Sequence, residues 1–343
     1  ISVAIVNQDQ VLWSGSYGNA NIEKNILSTP EHIYPLGSVS KLFTTATFLK
    51  VVEDYNIKLD DDVNNYLPYK IRNPKYPDIP ITFRMLLTHT SSIADRQKLQ
   101  DSLYGYGDSK ISLQEITDAY FNKNGNYFSK ENYLEFKPGT SWDYSNWNFV
   151  LIGYIIEKIT NENFNDYSRK TILNPLKMHQ SGWLLSEIDQ TKLVNLYQNT
   201  DSINKRSIDP RYAWPGYSDG NLRTTAEEAS HFIQMVLNNG KYKNKQVLAE
   251  SSIAEMLKPQ GVENLPAGFM IDMGLAWHIG SLQDTIHLHS GSPTGSIMYM
   301  VLNPRTRSGF VSLTTGIDLK NPKSLNALVD HLNYLNNYSK QPK

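Results

Sequence analysis

Ile1, Val3 and Ile5 alternate with smaller residues, the polar run Asn7-Gln8-Asp9-Gln10 interrupts them, and Val11-Leu12-Trp13 resumes the apolar pattern. A period of two broken by a short polar turn predicts an antiparallel hairpin at the head of the chain. The period changes at Ser38. Leu42, Ala46, Leu49 and Val52 or Glu53 follow at three- and four-residue spacing, with no proline before Pro68, so a long helix is predicted from at or near Ser38.

From Pro68 to about Gly182, prolines, glycines and polar loops separate helical stretches, notably Leu113 to Phe121 and Asn148 to Ile159, with little alternation. After Gly220 a helix is predicted over Thr225 to Leu237, followed by strands at Gly274 to Ile279, Ile286 to Leu288, Ile297 to Leu302 and Phe310 to Thr314. Leu325, Leu328, Val329, Leu332 and Leu335 fall on one helical face, which would cover a sheet. Strands at both ends of the chain around a helical middle predict an α/β fold of the α+β type, an antiparallel sheet flanked by helices and built from both termini. The expected division is residues 1–67 and 183–343 for the α/β domain and residues 68–182 for a mostly helical inserted domain, with substrate in the cleft between them.

Composition narrows the partners. In 343 residues, 33 lysines and arginines nearly balance 34 aspartates and glutamates, so no global field attracts nucleic acid or an anionic membrane. The lack of cysteine rules out disulfides, thiolate metal sites and a cysteine nucleophile. No apolar run approaches the roughly 18 residues of a membrane span. The chain opens at Ile1 directly in a strand pattern, so an N-terminal piece is expected to have been removed.

Three short segments carry candidate chemistry. In Ser38-Val39-Ser40-Lys41 a serine and a lysine three apart share one face of a helical turn, within reach of each other. Burial beside the positive end of the helix would lower the lysine's pKa toward that of a usable base. Those four residues alone favour the plainer reading, Ser38 as a helix cap and Lys41 as a solvated side chain. The same spacing recurs at Ser202-Ile203-Asn204-Lys205. Tyr144-Ser145-Asn146 supplies a phenol for proton transfer and an amide for a substrate carbonyl, in a loop that directly precedes an apolar helix. His289-Ser290-Gly291 follows a short strand, Ile286 to Leu288, and Ser292 to Gly295 leave its backbone accessible for strand-like pairing with a peptide.

Together these segments and their order resemble the serine β-lactamase and penicillin-binding protein superfamily, nearest its class C β-lactamase, D-aminopeptidase, DD-carboxypeptidase and esterase group. The likeness extends to Leu86-Leu87-Thr88-His89-Thr90-Ser91, Pro138 to Asn146, Gly220 to Glu227, Gly274-Leu275-Ala276-Trp277 and His289 to Gly295, and covers nearly the whole chain. The resemblance implies that Ser38 is acylated, that Lys41 and Tyr144 exchange its proton, and that Asn146 binds the substrate amide. The backbone N–H groups of Ser38 and Ser292 would form the oxyanion hole, beside the substrate-binding strand His289, Ser290, Gly291 and Ser292. It further implies a small-molecule or peptide substrate, no cofactor and export from the cytoplasm. Two positions depart from the pattern. His289 replaces a lysine, a weaker and pH-dependent cation for a substrate carboxylate, which favours a peptidase or esterase over an efficient β-lactamase. Ser92 stands where the Leu-Thr-His-Thr-Ser segment commonly continues with glycine.

Two other classes of function compete. A penicillin- or peptide-binding sensor would keep Ser38 and Lys41 but turn over slowly or not at all. A metal hydrolase would use His287 and His289, which alternate onto one strand face, with Asp284. A Ser-His-Asp hydrolase would need a Gly-x-Ser-x-Gly elbow, which the chain lacks.

Overall fold

The computed structural model describes residues 1–199, 205–282, 284–317, 330, 333–335, 337 and 338. Seven of its strands form one sheet: β1 (Ser2–Asn7), β2 (Val11–Ser16), β3 (Met270–Met273), β4 (His278–Leu282), β5 (Asp284–Gly291), β6 (Ser296–Asn303) and β7 (Ser308–Thr315). Their order is β3-β4-β5-β6-β7-β1-β2, and every neighbouring pair is antiparallel. The two ends of the chain meet in register, from Ser2 opposite Leu313 to Asn7 opposite Ser308. The predicted antiparallel sheet from both termini is therefore the observed one.

Alternation decides which face each side chain serves. Ala4 and Val6 enter the main core with Met298, Met300, Val311 and Leu313, whereas Val3 and Ile5 join Ile286, Val301 and Phe310 on the opposite face. Leu335 is buried on that second face, as its pattern predicts; Leu325, Leu328, Val329 and Leu332 lie outside the described residues, as do Ser202, Ile203 and Asn204.

Four helices matter to the site: α1 (Ser40–Tyr55), α2 (Leu113–Phe121), α3 (Asn146–Thr160) and α4 (Ala226–Leu237). Ser112 and Glu115 cap the start of α2 reciprocally, which explains why its sequence boundaries are so legible. Thr225 accepts from the Glu228 amide at the start of α4. Helix α4 covers the main-core face of the sheet through Phe232, Ile233 and Val236, while α1 packs on α3, which is buried from Trp147 to Ile156. Near-continuous burial of α3 suits its role as the central helix of the mostly helical region.

The strand predicted over Gly274 to Ile279 is a strand only at His278 and Ile279, the start of β4; its first four residues form a turn. Gly274 to Trp277 lies between β3 and β4, with Ala276 at φ 63°, and its amides bond to the carbonyls of Trp277, Met256 and Leu87. Leu275, Ala276 and Trp277 are all buried, so a consecutive apolar run reported burial correctly but not extended pairing. Ser92 holds φ 62°, a conformation that favours glycine, and is steadied by the Asn73 amide on its hydroxyl at 3.0 Å.

Candidate active site

Ser38 sits in a single tight turn, Gly37–Val39, that runs into α1. It is not a helix cap: Val39 occupies the cap position and no side chain caps α1. Gly37 adopts φ 55°, and a Cβ there would meet Pro293 Cδ at 2.8 Å and the Ser292 amide at 3.3 Å. Gly291 is tighter still, since its Cβ would fall 2.0 Å from Leu36 O and 3.0 Å from Ser38 N. These two glycines let the end of β5 lie directly against the Ser38 turn. Gly291→Ala must push them apart, at a cost of about 1–3 kcal/mol for overpacking. A thermal melt is expected to show that loss, together with a fall in any Ser38 acylation by two orders of magnitude (about 100-fold) as the geometry loosens; unchanged melting and acylation would refute the tight seam.

Lys41, in the first turn of α1, is fully buried. Its Nζ lies 3.3 Å from Ser38 Oγ and donates to Asn146 Oδ1 at 2.7 Å and to the Asp219 carbonyl at 3.0 Å, with Asp219 Oδ2 at 3.4 Å. The rings of Tyr144 and Phe149 lie 5.1 and 5.6 Å from it. Asn146 opens α3, and its Nδ2 donates to Asp95 Oδ2 at 2.8 Å. An ammonium only donates and a carboxylate only accepts, so these neighbours leave the Asn146 amide one orientation. Asp95 Oδ1 also accepts from the Asn146 amide at 2.8 Å and from Ser145 Oγ at 3.1 Å. Asp219 accepts from Trp214 Nε1 at 2.8 Å.

Electrostatics here reverses the expectation for Lys41. Burial opposes its charge, but Tyr144 as phenolate and the carboxylates of Asp219 and Asp95 outweigh burial and hold the ammonium above its ordinary range. Burial likewise pushes the Tyr144 phenol up, against the pull of Lys41 and Ser38. At neutral pH the pair therefore rests as ammonium and phenol, with Asp219 as the standing counter-charge. Asp219 is itself raised to about 6 by burial, an effect that Lys41 and Trp214 offset in part.

His289 does not serve as an accessible cation. Its ring is 1% exposed, and Nδ1 lies 2.8 Å from the Ser290 carbonyl, so that nitrogen carries the proton. Burial first, then the neighbouring His278 and Lys41, drive its pKa well below the ordinary histidine value. It stacks on His278 at 4.8 Å, and its ring centroid lies 6.4 Å from that of Tyr144. The other face of this arrangement is His89, stacked on Tyr144 at 4.2 Å and also held neutral by burial. Two neutral imidazoles, His89 and His289, thus flank the phenol, and His278 stacks behind His289. His287 turns elsewhere, with Nε2 2.7 Å from Leu257 O, and Asp284 pairs with Arg305. Among the described residues no three histidine, aspartate or glutamate side chains are placed to share a metal ion.

Above Ser38 opens a cavity of about 190 Å³, whose walls include Asn146, Asp219, Arg223, Ser292 and Tyr104. Ser38, Lys41, Tyr144, Asn146 and Ser292 thus converge, Gly291 forms the seam beneath them, and Ser290 anchors the His289 ring. Asp95, Asp219, His89 and His278 were not singled out from the sequence as site residues. Asp95, in a loop, and Asp219, at the end of the 3-10 turn Tyr217–Asp219, are distant in sequence from Lys41, and only His89 lies inside a segment whose family likeness marks it.

A model of the Beta-lactamase family matches residues 1–332. Protein flp of Staphylococcus aureus (strain MRSA252) is 26% identical over 333 residues, covering 97% of this chain and 62% of its own length. The chain thus spans about three fifths of that relative. Among solved structures, the D-amino acid amidase of Ochrobactrum anthropi SV3 complexed with L-phenylalanine amide superposes with a TM-score of 0.77 at 20% identity, over 99% of this chain and 94% of the amidase. A penicillin binding protein from Bacillus halodurans superposes with a TM-score of 0.75 at 19% identity, over 96% and 95%. At these identities the two structures share the fold.

Proposed function

The chain belongs to the Beta-lactamase family, and on that premise we propose that it is a serine hydrolase that works through an acyl-enzyme on Ser38. The observation that carries this reading is Lys41 Nζ, buried and in contact at once with Ser38 Oγ, Asn146 and Asp219, beneath an open cavity. Ser38 Oγ bonds to the substrate carbonyl carbon while its proton passes to the Lys41 and Tyr144 pair, one of which must first have lost a proton. The same pair returns the proton to the departing amine or alcohol as the scissile bond breaks. Water then cleaves the ester and releases the acid. Asn146 has one N–H beyond its bond to Asp95 with which to hold the substrate amide, and the Ser38 and Ser292 amides would take the oxyanion.

The substrate class is a peptide, an ester or a β-lactam. Peptidase or esterase action is favoured over efficient β-lactam hydrolysis, because the position that would carry the third motif's lysine holds a buried, uncharged imidazole. Incubation with a fluorescent penicillin and, separately, with a serine-directed phosphonate, followed by peptide mapping, tests the proposal. The expected adduct lies on Ser38; modification of another residue, or of none, would overturn it.

A further inference from the structure

Helix α4 has a second face. Phe232, Ile233 and Val236 cover the sheet, whereas Glu227, His231, Gln234 and the cap residue Asn238 fall at i, i+4, i+7 and i+11 and form one polar stripe. The stripe spans about 16 Å of helix. Residues 8–11, between β1 and β2, and the short ribbon in which Lys241–Tyr242 pairs with Lys245–Gln246 close with it round a cavity of about 520 Å³. No residue of this cavity lines the one above Ser38.

Hydrogen bonds behind the stripe consume its donors. Gln234 Nε2 donates to Asn7 O at 3.3 Å, and Asn238 Nδ2 donates to Gln234 O at 3.0 Å and to Gln8 O. His231 Nδ1 lies 2.9 Å from Leu176 O and so carries the ring proton, while burial lowers the ring's pKa to about 4. Acceptors remain: Gln234 Oε1, Asn238 Oδ1 and His231 Nε2. Among the described residues none of the three has a hydrogen-bond partner, and none is shut off from solvent. All three side chains line the cavity, and Gln234 is only 6% exposed, so these atoms face into it. Gln8 Oε1, in the same wall, is buried without a donor. Charge at the rim cancels, with Asp9 and Glu227 against Lys241 and Lys243, all four exposed.

We propose that this cavity is a second binding site and that its ligand is a neutral, polyhydroxylated molecule, a short saccharide. A hydroxyl both donates and accepts, so a row of them satisfies the fixed acceptors along the helix and still accepts from the lysines at the rim. A charged ligand meets no net charge there. An apolar ligand is disfavoured, because such sites have mostly apolar walls. Here Val11 is the sole aliphatic side chain among the described residues of the wall, and the Tyr242 ring is stacked on His231 at 4.9 Å. The proposal does not depend on the reading of Ser38 as a nucleophile.

The test is calorimetric titration of the protein with maltotriose and, separately, with N,N′,N″-triacetylchitotriose. At least one is expected to bind saturably with a Kd of about 1 mM or tighter. That affinity should stay within about twofold as salt rises from about 0.05 to 0.5 M, as a neutral ligand requires. Gln234→Met, which keeps the side chain's length but removes its acceptor, should weaken binding at least about tenfold. Gln10→Trp should weaken it likewise by filling the mouth; Gln10 is exposed, and its side chain bonds to nothing among the described residues. Phosphonate labelling of Ser38 should be unchanged in both variants, which separates this site from the hydrolase reading. Failure of both trisaccharides to bind overturns the proposal, as does tighter binding of putrescine than of either, which would make this a cation site. Affinity undiminished in Gln10→Trp, or in a Gln234→Met protein that melts normally, places the sugar elsewhere and overturns it too.

Discussion

Ser38→Ala is expected to abolish covalent labelling and to lower turnover by about four orders of magnitude or more, the scale seen when a nucleophile acting as part of a unit is removed. The fold should survive. Ser38 makes no cap to α1, and the hydroxyl's contact is with Lys41, whose ammonium keeps Asn146 and Asp219 as partners. Matched melting curves with loss of labelling would separate chemistry from stability. An alanine variant that labels at an undiminished rate would remove Ser38 from the mechanism.

Lys41→Ala is expected to slow acylation about a thousandfold, within the range of a lost general base. The pH dependence is the sharper measurement. A base acts only when deprotonated, and both Lys41 and Tyr144 are held above their ordinary values, so the competent fraction is small at neutral pH. Acylation of the unsubstituted protein by a neutral ester should therefore rise about tenfold per pH unit from pH 6 to 9. His89, His278 and His289 should contribute no inflection, since burial pushes all three below the ordinary histidine value of about 6.5; a break near pH 6 would report Asp219, which burial raises to about 6. In Lys41→Ala the phenol loses the ammonium that draws its pKa down, so the residual activity should move to still more alkaline pH. A wild-type profile already flat at pH 7 would contradict the resting state of ammonium and phenol. An unchanged rate in Lys41→Ala would leave Tyr144 as the sole base. The variant should also melt earlier, because Asp219 loses the ammonium that compensates its burial.

Local sequence determined the features whose physics is local. A capping pair defines the start of α2, alternation of apolar residues specifies β1, β6 and β7, and a three-residue spacing in a helical turn brings Ser38 and Lys41 together wherever that turn sits. Family likeness, not spacing, singled out Tyr144 and Asn146. Tertiary structure decided the rest, because electrostatics in a buried site depends on groups that are remote along the chain. Lys41 is held charged by Asp219, 178 residues away, and the orientation of Asn146 depends on Asp95, 51 residues away. The same burial that makes those carboxylates matter turned His289 from an expected cation into a neutral ring, and turned the apolar run at Leu275 to Trp277 from an expected strand into a packed turn. Periodicity reports that a side chain is buried; only the surrounding fold decides which charges and carbonyls are buried with it.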